Sequence, residues 1–183
     1  GLGRRARVET AVTLLRRKAA AWQCGALAAL LVAPAAPADT LVTFKMLDPD
    51  VALEMAQAAL DSCREKNFQV TVAVVDRMGV PQVVLRDRFA GAHTPNSATR
   101  KAATAVSFRE DTLTLADNTS SDSAHSGARF IEGTLMLGGG VPVTAAGSIV
   151  GGIGVAGAPS STDDHACAQA GIAAVTARLE LAE

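Results

Sequence analysis

From Leu47 onward the chain divides by the period of its apolar positions. Between Leu47 and Asn67 they recur at helical spacing, with Val51, Met55, Ala58, Ala59 and Ser62 along one side. Asp48 suits the N-cap, Pro49 the first turn, and Lys66-Asn67 the end. Val70–Asp76 and Gln82–Arg86 are β-branched runs on either side of a Met-Gly-Val-Pro turn, the pattern of a hairpin. A polar loop follows, and then an Ala-rich helix predicted to be capped by Asn96 or Ser97. The stretch after it is broken and polar, with one short helix expected around Leu113–Ala116. "TLMLGGGVPVTAAGSIVGGIGVAGAP" reads as strand, turn, strand, turn, strand, with Ala146-Gly147 as a tight turn. A last helix opens at "SSTDDHAC", where Ser161 and Asp164 have capping-box spacing.

This order predicts an α+β fold: an antiparallel sheet of about five strands, flanked by helices on one or both faces. It also decides the meaning of Gly152-x-Gly154-x-x-Gly157, which has the spacing of a dinucleotide-binding fingerprint. That fingerprint needs a strand ending at the first glycine, but Gly152 falls inside the strand predicted for Ser148–Val155. Asp163 and Asp164 come too soon to hold a ribose. Glycines within a strand instead admit something close to the backbone: a helix, a second subunit or a flat ligand.

The first 38 residues have a different character. Arg16-Arg17-Lys18, an apolar run from Ala19 to Val32, and "APAAPA" have the anatomy of a secretory signal. Cleavage is expected after Ala38, with Ala35 as the second choice, leaving a domain over 39–183 in the periplasm or outside the cell. Without the leader, 11 basic and 17 acidic residues remain. That balance gives no footprint for nucleic acid or anionic lipid, and aromatics at 3% give no stacking platform. Export would permit Cys63 and Cys167 to form a disulfide between the terminal helices. The plainer reading makes them two small buried hydrophobes. No Cys or His spacing suggests a structural metal.

Two blocks resemble the signatures of the GlcG/HbpS-like haem-binding family. The first is the strand Val72–Asp76, Gly79, Arg86 at the end of the second strand, Gly91-Ala92, and the helix core Lys101-Ala102-Ala103-Thr104-Ala105. The second is Gly139-Gly140-Val141-Pro142, a hairpin, Gly152-Ile153-Gly154-Val155-Ala156-Gly157, and an acid-capped helix. The resemblance implies a profilin-like fold, also found at the C-terminus of some cobalamin adenosyltransferases, and assembly into homo-oligomers. Secreted members bind haem and take part in redox sensing or haem degradation, so haem is the implied cofactor.

Haem asks for an apolar slot, an iron ligand and cations for its propionates. Of the three histidines, His93 in the loop before the Lys101 helix is the favoured ligand, with an exposed loop histidine as the alternative. The resemblance itself does not supply that assignment. His125 reads as a surface residue and His165 as an exposed residue in the first turn of the last helix. Thr104 and Thr112 are candidate oxygen ligands, while Arg86, Lys101 and Arg109 are candidate cations. Phe89 and Phe108 are candidates to line the slot. The four residues Met46, Met55, Met78 and Met136 read as packing. No nucleophile elbow or phosphate loop is visible. Three functions follow: an exported haem-binding protein, a haem-free accessory protein that supports a partner enzyme or sensor, or an enzyme acting on a small organic acid. In the last, Arg86 and Lys101 would hold the carboxylate, although no acid–base pair is evident.

Overall fold

A computed structural model describes residues 40–181. The predicted leader and its cleavage site lie outside the described residues. The account below concerns the unit Thr43–Glu183.

Helix α1 spans Pro49–Glu65; Asp48 caps it by accepting the Asp50 N–H at 2.9 Å. Its buried stripe is Val51, Ala52, Met55, Ala56, Ala59, Leu60 and Cys63. The predicted stripe holds on Val51, Met55 and Ala59 but not on Ala58 and Ser62, because Ala52, Ala56 and Leu60 widen the apolar face the other way. Strands β1 (Thr71–Asp76) and β2 (Pro81–Arg86) form the expected hairpin. Helix α2 runs from Thr94 to Phe108, earlier than predicted. Pro95 explains the difference: it needs no amide partner in a first turn, so His93 becomes the N-cap. Helix α3 (Thr112–Asn118) and a 3-10 turn (Ser126–Phe130) occupy the polar middle. Strands β3 (Gly140–Ala145) and β4 (Ser148–Ala156) meet at Ala146-Gly147, and α4 (Ser161–Glu180) ends the fold.

The sheet has four antiparallel strands in the order β2-β1-β4-β3, one fewer than expected. The missing strand is the stretch around Thr134–Leu137. Its backbone is held by side chains instead: the Leu135 N–H by the Thr104 hydroxyl at 2.9 Å, and the Leu137 carbonyl by the Thr112 hydroxyl at 2.7 Å.

Both faces of the sheet are covered. One carries Val72, Val74, Val143, Ile153 and Val155 into the main core beneath α1 and α4. Those two helices are joined by a disulfide, Cys63–Cys167, with Cα atoms 5.6 Å apart and no exposure at either residue. The bridge replaces the reading of two free thiols. The opposite face carries Ala73, Val75, Gly152, Gly154 and Ala156, and α2 lies on it through Ala98, Ala102 and Val106. A side chain at Gly154 would collide with the Ala98 carbonyl, and one at Gly152 would reach the Ala102 carbonyl at 3.0 Å. Gly152 and Gly154 of the fingerprint-like stretch are therefore the seat of α2, whereas Gly157 lies against the backbone of Gln69 and Val70.

Candidate functional site

Several of the sequence motifs converge on one buried ion pair. Lys101 extends from α2 across the glycine seat, and its ammonium donates to Asp164 Oδ2 at 2.7 Å and to the Val155 carbonyl at 2.9 Å. Asp164 Oδ1 accepts the Ala158 N–H at 2.9 Å. Gly139, at φ 120°, passes over the pair; a Cβ there would lie 2.8 Å from Asp164 Cβ and 3.0 Å from Lys101 Nζ. Lys101 and Asp164 are 1% and 4% exposed, so water contributes little to their solvation. Burial pushes the Lys101 amine below its ordinary range and the Asp164 carboxyl above its own, and their mutual attraction opposes both shifts.

The first turn of α4 divides its acids between two tasks. Ser160, not Ser161, is the cap: its Oγ accepts the Asp163 N–H at 3.1 Å and donates to Asp163 Oδ2 at 2.7 Å. Asp164 is thereby free to turn inward. The expected pair, Ser161 with Asp164, is thus replaced by Ser160 with Asp163, which has the same spacing one residue earlier.

Beside the ion pair lies a cavity of about 430 Å³. One wall is the start of α2, with His93, Thr94, Ser97 and Lys101; the other is the β4–α4 connection from Ala156 to Ser161, and Leu137 closes one side. Because Asp164 holds both Lys101 and Ala158, the ion pair ties the two walls together. In the α2 wall, Thr94 donates its hydroxyl proton to the Gly91 carbonyl at 2.7 Å, so the Thr71 hydroxyl, 2.7 Å away, must donate to Thr94. The Gly91 loop is thus anchored to β1. His93 sits at the N-cap of α2, exposed, and its side chain makes no capping bond.

The other candidates lie elsewhere. Arg86 donates to the Ala90 carbonyl and closes its own loop. Thr104 and Thr112 hold the 135–140 segment; Thr112 also accepts the Gly140 N–H at 2.7 Å. Phe108 ends α2, half-buried, and Arg109 follows it in the left-handed region at φ 57°. Phe89 is exposed, with the Arg88 guanidinium 6.0 Å from its ring centre. His125 caps the 3-10 turn at the surface. His165 is not the exposed residue expected: its side chain is 13% exposed, and its Nδ1 faces Asp111 Oδ1 at 3.9 Å. The motifs thus bring His93 and Lys101 to one cavity and leave Arg86, Thr104, Phe108 and Thr112 outside its lining. Asp164, Gly91 and the Thr71–Thr94 pair were missed, since nothing in a linear pattern distinguishes a hydroxyl that anchors a loop. Among the described residues no helix is long and apolar enough to cross a membrane.

An antiparallel sheet between two helical layers, with a polar cavity at the end of its glycine seat, defines the class of domain. The profile of the family described as haem degrading protein HbpS-like matches residues 47–173, and the chain belongs to that family. Its structure is similar to that of HbpS from Streptomyces reticuli, solved as a double mutant, at 43% identity and a TM-score of 0.70, covering 76% of this chain and 93% of that one. It is also similar to PduOC in a structure titled as a haem complex, at 27% identity and a TM-score of 0.66, covering 70% and 94%. The Klebsiella pneumoniae protein ORFY, at 23% identity and a TM-score of 0.74, covering 78% and 99%, shares the fold. No match is found among curated protein sequences.

Proposed function

We propose that this chain is an exported haem-binding protein and that the cavity beside His93 receives the haem. The observation that carries the reading is the His93 imidazole, set at the mouth of the cavity with no hydrogen bond from its ring among the described residues. Leu137, Ala156, Ala158 and Pro159 supply the apolar part of the lining. The family description and the PduOC haem complex support the choice of ligand. Bound haem would bring iron redox and oxygen chemistry; the chain would bind it, orient it and limit access of water. Storage, redox sensing and haem degradation are the roles this would serve. The Cys63–Cys167 disulfide supports an oxidising compartment, in keeping with the leader. The adjacent exposed pair Phe130 and Ile131 supports a homo-oligomer.

A second reading rests on the cations. Arg86 and Lys101, expected to meet propionates, are engaged by Ala90 and Asp164. That favours a haem-free accessory protein whose partner is an enzyme or sensor chain. A hemin titration followed by the Soret band separates the two. The haem reading expects saturation at stoichiometric hemin with a shifted band, and loss of that shift in His93→Ala. A flat, unsaturable titration would overturn it in favour of the accessory protein.

A further inference from the structure

The His93 ring rests against backbone. A Cβ built on Gly91 would lie 2.7 Å from His93 Cε1 and 2.9 Å from Nδ1, against 3.7 Å from Nε2. The imidazole therefore lays its Cε1–Nδ1 edge over the bare Cα of Gly91 and carries Nε2 away from the loop. The surface beneath it is held from below. The Gly91 carbonyl takes the Thr94 N–H at 3.0 Å and the Thr94 hydroxyl at 2.7 Å, and Thr94 in turn takes the Thr71 hydroxyl from β1. Thr71 and Thr94 are 0% and 1% exposed, so water does not compete for these bonds. Gly91 is not in the left-handed region, so its backbone does not demand glycine. A methyl at this position would meet only the ring, which as the end of an exposed side chain would have to turn away from its seat.

We infer that Gly91 is a positioning residue: it seats the His93 imidazole so that Nε2 is the nitrogen offered to a haem iron, and the Thr71–Thr94 hydroxyl relay fixes that seat to the sheet. The inference rests on the haem reading above. Residues that orient a metal-bound histidine typically change metal affinity by about 10- to 100-fold when replaced.

The test compares the full chain with Gly91→Ala, Thr94→Val, Thr94→Ser and His93→Ala. Hemin affinity and the ligand-field spectrum are read in each, and the His93 ring signals are read by NMR without hemin. Gly91→Ala is expected to move the His93 ring signals in the hemin-free chain. It should also weaken hemin by about 10- to 100-fold and shift the spectrum toward that of His93→Ala, with the fold intact by circular dichroism. Thr94→Val should follow in the same direction, and Thr94→Ser should restore the wild-type spectrum. If the wild type binds through His93 and Gly91→Ala matches it in ring signals, affinity and spectrum, the positioning role is overturned and the haem reading stands. If the wild type does not bind hemin, or His93→Ala binds with an unchanged spectrum, the haem ligation falls and this inference with it.

Discussion

Lys101 and Asp164 illustrate how much one residue's meaning depends on its surroundings. On sequence alone Lys101 is a cation within an Ala-rich helix, equally suited to a ligand or to solvent. In the fold it is buried, and its partner is an acid 63 positions away. Removing one member of such a pair strands the other charge, which typically costs about 3–5 kcal/mol, whereas replacing both with apolar residues of similar volume is often neutral or better. Asp164→Asn is therefore expected to lower unfolding free energy by about 3–5 kcal/mol, and the double variant Lys101→Met/Asp164→Leu by much less. Urea denaturation of the wild type, the single variant and the double variant checks this. Equal losses in the single and double variants would show that packing, and not the unpaired charge, dominates.

At the scale of elements, α3 shows a cap that depends on pH. Asp111 accepts the N–H groups of Leu113 at 3.0 Å and Thr114 at 2.9 Å, and the Thr114 hydroxyl at 2.8 Å. Partial burial pushes its carboxyl up, but the bonds from Thr114, the neighbouring His165 and the Leu113 N–H outweigh it and hold the group below the ordinary aspartate range. A carboxyl depressed in the folded state stabilises the fold above its unfolded value, about 3.9, and loses that contribution as pH falls through the folded one. Asp111→Ala should cost about 1 kcal/mol at neutral pH and flatten the loss of stability below about pH 4. Thermal unfolding from pH 7 down to pH 2 measures both; a parallel shift at every pH would refute the titration. The elements were legible where local chemistry decides them. The β-branched run at Thr71–Asp76 and the Ala146-Gly147 turn are examples. They were not legible where distant groups decide: Thr134–Leu137 has strand-like residues, but Thr104 and Thr112 hold its backbone in another shape. Likewise the glycines of β4 signalled a close approach without saying that α2 was what approached.

For the whole molecule, the covered sheet and the disulfide set the stability. Two helices pack on one face through a conventional apolar core, and one lies on a seat of small residues on the other. The Cys63–Cys167 bridge spans a sequence separation of 104 residues. Closing a loop of roughly 100 residues removes enough freedom from the unfolded chain to add about 4.7 kcal/mol in the chain-entropy account, and losing a native bridge typically costs about 2–5 kcal/mol. Cys63→Ala/Cys167→Ala should fall in the latter range by denaturant melts and should abolish the response to reductant. A double variant as stable as the oxidised wild type would show the bridge to be energetically idle. The candidate site was legible in its ingredients, His93 and Lys101, but not in its assembly, because Asp164, Gly91 and Thr94 acquire their roles only from contacts made across the fold.

That bridge also changes what a cut in the chain would mean. Everything from β1 to the first turn of α4 lies inside a covalent ring closed by two sulfur atoms, including the long excursion around Ser121–Ile131 with its exposed Phe130. A protease that nicks that excursion opens the ring without releasing a fragment. The two pieces stay threaded through one sheet, with β1 still hydrogen-bonded to β4 across the break, and would separate only when a reductant arrives.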